Sequence, residues 1–134
     1  MQAVPTVFIV DDDPAVTKAA GQLAEVIGFK SQVFNSAAGF LDAYRPNGPA
    51  CLVLDLRMPG MSGIELQQAL LNTGKTLPIV VMTGHADTRL VVKAMQLGAV
   101  GCLEKPFPVE DFCKVVREAV QQSEEAWRNR SHGS

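Results

Sequence analysis

Five short apolar runs recur along the chain, "TVFIV", "KSQVF", "ACLVLDL", "LPIVVMT" and "VGCLE". Four of them are close to continuously apolar, the pattern of strands covered on both faces in a parallel sheet. The segments between repeat their apolar residues at helical spacing. Val16, Ala19, Ala20, Leu23 and Ile27 predict one buried stripe, and Ala37, Phe40, Leu41 and Tyr44 a second. Leu66, Ala69 and Leu70 predict a third, Leu90, Val91, Ala94 and Leu97 a fourth, and Val109, Phe112, Cys113, Val116 and Val120 a fifth. Asp13 followed by Pro14 suits an N-cap and a first helical position. Ser36 and Asp87 are further N-cap candidates, and Gly28 and Gly98 stand where a left-handed C-terminal cap is needed. Strict alternation of five strands and five helices predicts a doubly wound α/β domain.

The ordered unit is expected over residues 5–122. From Ser123 the chain reads "SEEAWRNRSHGS", loses the apolar stripe and is predicted to fray as a polar tail or linker stub. Trp127 reads there as an exposed aromatic near the chain end, with a contact point for another segment as the alternative.

Composition narrows the function without choosing it. A chain of 134 residues, 47% of them hydrophobic, is one domain able to bury roughly 68% of its unfolded surface. A net charge of −2 argues against nucleic-acid binding by this segment through bulk electrostatics. No apolar run approaches the ~18 residues of a membrane span, and "MQAVPT" has no signal-peptide pattern, so a cytoplasmic location is expected. Cys51, Cys102 and Cys113 lie in apolar contexts with no zinc-ligand spacing to each other, to His85 or to His132, and read as free thiols in a reducing compartment.

The chemistry collects at strand ends. Sites in doubly wound sheets form beyond the carboxyl ends of the strands. There the chain places Asp11, Asp12 and Asp13 after the first strand, Asp55 at the end of the third, Thr83 at the end of the fourth and Lys105 after the fifth. Three adjacent aspartates beside a buried strand repel one another unless solvated or neutralised. Hard carboxylate oxygens suit Mg²⁺. A carboxylate is also a nucleophile able to form an aspartyl-phosphate, and Asp55, following "CLVL" and preceding "RMPGMSG", is the candidate. Thr83 and Lys105 would bind the phosphoryl oxygens. Taken singly each residue has a plainer account: a helix cap with solvated charge, a strand-end acid, a strand threonine, a surface cation. Their joint placement on four strand ends points to metal-assisted phosphoryl transfer.

The strings "VDDDP", "LVLDLRMPGMSGIEL", "PIVVMTGHAD" and "AMQLGAVGCLEKPF", in that order, resemble the receiver domain of two-component response regulators over Val7 to about Gln121. "MTGHAD" and "GAVGCLEKPF" are most similar to the FixJ-type branch, whose members often carry a helix-turn-helix output domain. The resemblance implies a CheY-like sheet of order 2-1-3-4-5 and phosphorylation of Asp55 by a sensor histidine kinase. It implies Mg²⁺, with Mn²⁺ as a substitute, on Asp11, Asp12, Asp55 and the backbone carbonyl of Arg57. Thr83 and Lys105 would bind the phosphoryl group, and Lys105–Pro106 would be a cis bond. Arg57 and His85 fall at positions that tune phosphoryl lifetime. The face of the fourth helix, fifth strand and fifth helix would serve for homodimer formation or for docking a partner. The chain departs from the pattern at Cys102, where the family often has an aromatic switch residue; a thiol cannot swing as a ring does, which shifts the expected relay to the Asp87–Leu97 helix and its preceding loop.

On these grounds the domain is expected to be a phosphoacceptor that assists its own Mg²⁺-dependent phosphorylation and dephosphorylation, not an enzyme acting on other substrates, and to regulate an output domain or a partner, with transcription as the expected output. Three rivals predict different features. A haloacid-dehalogenase-like phosphatase would use Asp11 and Asp13 as its D-x-D pair, but lacks a late acidic pair and room for a substrate cap. A flavodoxin-like FMN carrier needs a phosphate-cradling loop after the first strand, where this chain has "DDDP". A receiver that no longer takes phosphate, acting only as a scaffold, is at odds with the complete Asp, Thr and Lys set.

Overall fold

The computed structural model describes residues 4–84 and 87–132. Five parallel strands, β1 (Thr6–Val10), β2 (Lys30–Phe34), β3 (Ala50–Asp55), β4 (Ile79–Thr83) and β5 (Gly101–Glu104), form one sheet in the order β2-β1-β3-β4-β5. They alternate with α1 (Pro14–Val26), α2 (Ala37–Ala43), α3 (Gly63–Thr73), α4 (Thr88–Gln96) and α5 (Val109–His132).

The near-continuous apolar strands result from having a core on each face. Successive strand residues point opposite ways. Val7, Ile9, Cys51, Val53, Val80, Met82 and Leu103 pack with α1 and α5, while Val10, Leu52, Leu54, Ile79 and Val81 pack with α2, α3 and α4. Every residue of β3 and β4 is buried, and full burial of each large aliphatic side chain contributes about 1.5–3 kcal/mol. A strand so placed can end in a carboxylate only where the sheet opens to solvent, which sets the site at the carboxyl rim.

Local signals place the helices. Asp13 caps α1 by accepting the Ala15 N–H at 2.9 Å, with Pro14 at the first turn. Ser36 caps α2 by accepting from Gly39 N–H at 3.0 Å. Ser62 and Glu65 form a reciprocal capping box on α3. Gly28 and Gly98 come after α1 and α4 with φ of +102° and +105°.

Three expectations change. The buried face of α1 is Thr17, Ala20, Gly21 and Ala24; Val16, Leu23 and Ile27 flank it half-buried, and Ala19 is exposed. The small residues bring the helix close to β2, where a Cβ on Gly21 would lie 3.4 Å from Ser31 Oγ. Asp87 occupies the N-cap of α4, but its side chain makes no capping bond. And the chain after Gln122 stays helical to His132 instead of fraying. Ser123 is buried there, its Oγ accepting the Ala50 N–H of β3 at 2.9 Å, so a polar residue continues the packed face. Trp127 is half-buried and carries the Arg130 guanidinium 4.7 Å over its ring.

Candidate phosphoryl-transfer site

The β1, β3, β4 and β5 ends converge on one acidic rim. Asp11 and Asp55 are 1% and 6% exposed, Thr83, one residue past the β4 partner of Asp55, is also buried, and Asp12 is exposed. Ligand oxygens of Asp11, Asp12 and Asp55 lie within 4.8 Å of one another. Lys105 reaches across from β5 and donates to Asp11 Oδ2 at 2.6 Å, with Asp55 Oδ2 3.4 Å away. Asp13 is not a member of this cluster, its side chain being spent on the α1 cap and its own N–H donated to Asp11 Oδ1 at 2.9 Å. That leaves the D-x-D phosphatase reading without its second acid.

Asp55 is oriented by the turn after it. The Arg57 backbone N–H donates to Asp55 Oδ1 at 3.2 Å. Gly63, the first residue of α3, sits against the end of β3 and donates its N–H to the Leu56 carbonyl at 3.3 Å. A Cβ on Gly63 would stand 2.5 Å from the Asp55 carbonyl oxygen and 2.8 Å from Leu56 Cα. Sequence pattern does not single out this glycine; its position directly after an N-cap serine, in the turn leaving a buried strand, is the available signal. Pro106 is joined to Lys105 through a cis peptide bond. Cys102 is half-buried on the α2–α4 side of the sheet, and burial, then the neighbouring Glu104 charge, raises its thiol pKa. His85 lies outside the described residues.

The electrostatics of the rim are unbalanced. Burial, then the Asp11 charge, push the Asp55 carboxyl up to about 6, against the Arg57 N–H and the Lys105 ammonium. Burial opposes the charge on Lys105, but its bonds and proximity to Asp11 and Asp55 win and raise its pKa. Clustered hard oxygens with surplus negative charge are the donor set that Mg²⁺ takes, and one lysine does not neutralise three carboxylates, so the residues fit that ion.

The metal-free domain should therefore respond to pH. Between about pH 4 and pH 6 native Asp55 holds a proton that the unfolded chain has released, because its pKa is about 6 when folded against an ordinary 3.8. The contribution is fully present below the ordinary value and is lost as pH rises through 6. In EDTA the melting temperature should fall between pH 5 and 7.5, and Asp55→Asn should flatten that fall. At pH 7.5 the variant should be more stable by about 1–2 kcal/mol, taking roughly half of the full effect because the rim is open to water. A parallel slope in wild type and variant would show that Asp55 is not the group titrating.

Known proteins match along the same outline. The family model for the response regulator receiver domain matches residues 7–117, and the chain belongs to that family. It is 40% identical over 124 residues to the response regulator protein TmoT of Ectopseudomonas mendocina, covering 90% of this chain and 56% of that protein. It is also 40% identical over 120 residues to the transcriptional regulatory protein FixJ of Bradyrhizobium diazoefficiens, covering 90% and 58%. The solved structure of the response regulator StyR superposes with a TM-score of 0.91 at 41% identity, covering 98% of this chain and 66% of that one. The chain thus spans little more than half the length of the curated relatives it matches. It is a receiver domain of the FixJ type, from a class of domain that binds Mg²⁺ at an acidic pocket and is generally phosphorylated by a sensor histidine kinase. Among the described residues no helix is long and apolar enough to cross a membrane.

Proposed function

We propose that Asp55 is the phosphoacceptor of a cytoplasmic signalling switch. The observation that carries this reading is the arrangement of a nearly buried carboxylate among Asp11, Asp12, Thr83 and Lys105 at one sheet rim. An Asp55 carboxylate oxygen attacks the phosphorus of a phosphohistidine on the kinase. The new P–O bond forms as the P–N bond breaks, and the departing imidazole keeps the electron pair. Lys105 offsets charge on the phosphoryl oxygens, and the Thr83 hydroxyl donates to one of them. Asp11, Asp12, Asp55 and the Arg57 carbonyl would hold Mg²⁺, or Mn²⁺ in its place; bound there, the ion neutralises aspartate and phosphoryl oxygens alike. Hydrolysis of the acyl phosphate would reset the switch at a rate in which Arg57 and His85 take part, so the domain assists its own turnover without acting on another substrate.

The switching unit spans residues 5–122, and the helical stretch from Ser123 connects it to an output domain in a longer regulator. The likeness to FixJ supports a transcriptional output, with DNA contacted by that other domain. Val92 and Met95 of α4, Val100 before β5 and Val109 of α5 are large exposed apolar residues, which supports the α4–β5–α5 face as the homodimer surface. With Cys102 in place of a ring, the relay to that face runs through α4 and the β4–α4 connection.

The test is intact-mass spectrometry after incubation with acetyl phosphate, with Mg²⁺ or with EDTA. One phosphoryl adduct is expected on the wild type in Mg²⁺, none in EDTA and none on Asp55→Asn. An adduct that survives in Asp55→Asn and disappears in Asp11→Asn would overturn the assignment in favour of a phosphatase-like nucleophile. No adduct on the wild type would leave only a scaffold.

A further inference from the structure

An aspartate at an N-cap ordinarily accepts a backbone N–H from the first helical turn. Asp87, at the N-cap of α4, makes no such bond. Its carboxylate instead receives a fork of two charge-assisted bonds from Arg57, Nε to Oδ2 at 2.7 Å and Nη2 to Oδ1 at 2.6 Å. The same Oδ2 lies 3.4 Å from Thr83 Oγ1, whose other acceptor among the described residues is the Gly84 carbonyl at 3.2 Å. The single proton of that hydroxyl is therefore directed into the β4–α4 connection. Arg57 meanwhile is tied to Asp55 through its own backbone N–H. Two groups flanking the acceptor carboxylate thus share one partner, and that partner has given up its cap to hold them.

We propose that Asp87 is a positioning residue for the unphosphorylated state: it clamps Arg57 and engages the Thr83 hydroxyl, and on phosphorylation it releases both and caps α4. The inference rests on Asp55 being the phosphoacceptor. A phosphoryl group there adds negative charge and acceptor oxygens beside Thr83 and Arg57. The hydroxyl then has a stronger acceptor than a carboxylate at 3.4 Å, and the guanidinium has a second anion to approach. The Arg57 side chain is 70% exposed, so the pair is weak enough to be exchanged. The released carboxylate stands one residue before α4 and turns to the N–H groups of Arg89 and Leu90. Loss of the tie between the β3–α3 turn and the start of α4, together with the new cap, repositions α4 without an aromatic at position 102.

The test uses Asp87→Ser, which keeps a good N-cap residue and cannot receive the guanidinium fork. Beryllofluoride with Mg²⁺ serves as the phosphoryl mimic. The variant should bind it about five-fold more tightly than wild type, the modest gain that an exposed ion pair allows, with little change in melting temperature. In a Thr83→Val background the gain should shrink, because part of the restraint acts through the hydroxyl. Amide exchange at Arg89 and Leu90 should slow when wild type binds the mimic and should not slow in Asp87→Ala. Equal affinity of Asp87→Ser and wild type, or a gain undiminished in Thr83→Val, would overturn the proposal, the latter reducing Asp87 to a nearby negative charge. Acetyl phosphate separates the two levels: a wild type that takes no phosphoryl group removes the phosphoacceptor reading and this inference with it, whereas an adduct with unaltered variants removes this inference alone.

Discussion

Gly63→Ala should lower the stability of the domain by about 3 kcal/mol and abolish adduct formation with acetyl phosphate, although it adds a single methyl group. The added carbon would meet the Asp55 carbonyl oxygen at 2.5 Å and Leu56 Cα at 2.8 Å, closer than real Cβ contacts come. Both are backbone atoms at the end of a strand that is buried along its whole length, so neither can rotate aside. Either α3 must lift from the sheet, breaking the Gly63 N–H bond to the Leu56 carbonyl and loosening Ile64 and Leu66, or the end of β3 must shift and carry Asp55 with it. Both routes disturb the turn whose Arg57 N–H orients the Asp55 carboxylate. For a domain of this size the expected drop in melting temperature is on the order of 10 °C. Gly101→Ala is the control: a Cβ there would meet Val115 at an ordinary 3.7 Å, and the substitution should be close to neutral. If Gly63→Ala melts with the wild type, the β3–α3 junction is softer than its spacing implies.

What the sequence made legible, and what it did not, divides along the reach of the interactions. Strand and helix order could be read because each apolar run or stripe records which face is buried, and strand ends then placed Asp11, Asp55, Thr83 and Lys105 at one rim. Period alone put the α1 stripe about one residue off. It picks out Ala20 but weights Val16, Ala19, Leu23 and Ile27 with it, whereas close approach to β2 buries the small Thr17, Gly21 and Ala24 beside Ala20. The stretch after Gln122 reads as a fraying tail because its packing depends on a serine hydroxyl bound to Ala50, a partner 73 residues away that carries no hydrophobic signature. Gly63 escapes notice because steric closeness to a distant backbone leaves no local mark. The sequence pattern is enough to place Asp87 at a helix start, but which bond its carboxylate makes is decided by Arg57, 30 residues earlier in the chain.

Lys105→Met should be the most damaging change that leaves the packing intact. The ammonium donates to Asp11 at 2.6 Å and stands 3.4 Å from Asp55, with its side chain only 26% exposed. Methionine fills similar volume but leaves two nearly buried carboxylates facing each other without a cation. Breaking such a pair from one side costs more than the pair contributes, and here about 2–3 kcal/mol is expected in EDTA at pH 7.5. The loss should shrink toward pH 5, because without the ammonium Asp55, already pushed up to about 6, holds its proton to still higher pH. Mg²⁺ held by Asp11, Asp12 and Asp55 would supply the missing positive charge, so it should raise the melting temperature of Lys105→Met by more than it raises that of the wild type. Thermal melts across pH, with EDTA and with Mg²⁺, read all three effects. A surface lysine of no special standing would change stability by less than about 0.5 kcal/mol and leave the Mg²⁺ response as it was. The same variant separates stability from chemistry. With Mg²⁺ present and the fold restored, it should still take a phosphoryl group from acetyl phosphate only slowly, because the proposed role of the ammonium, balancing charge on the transferred oxygens, is lost.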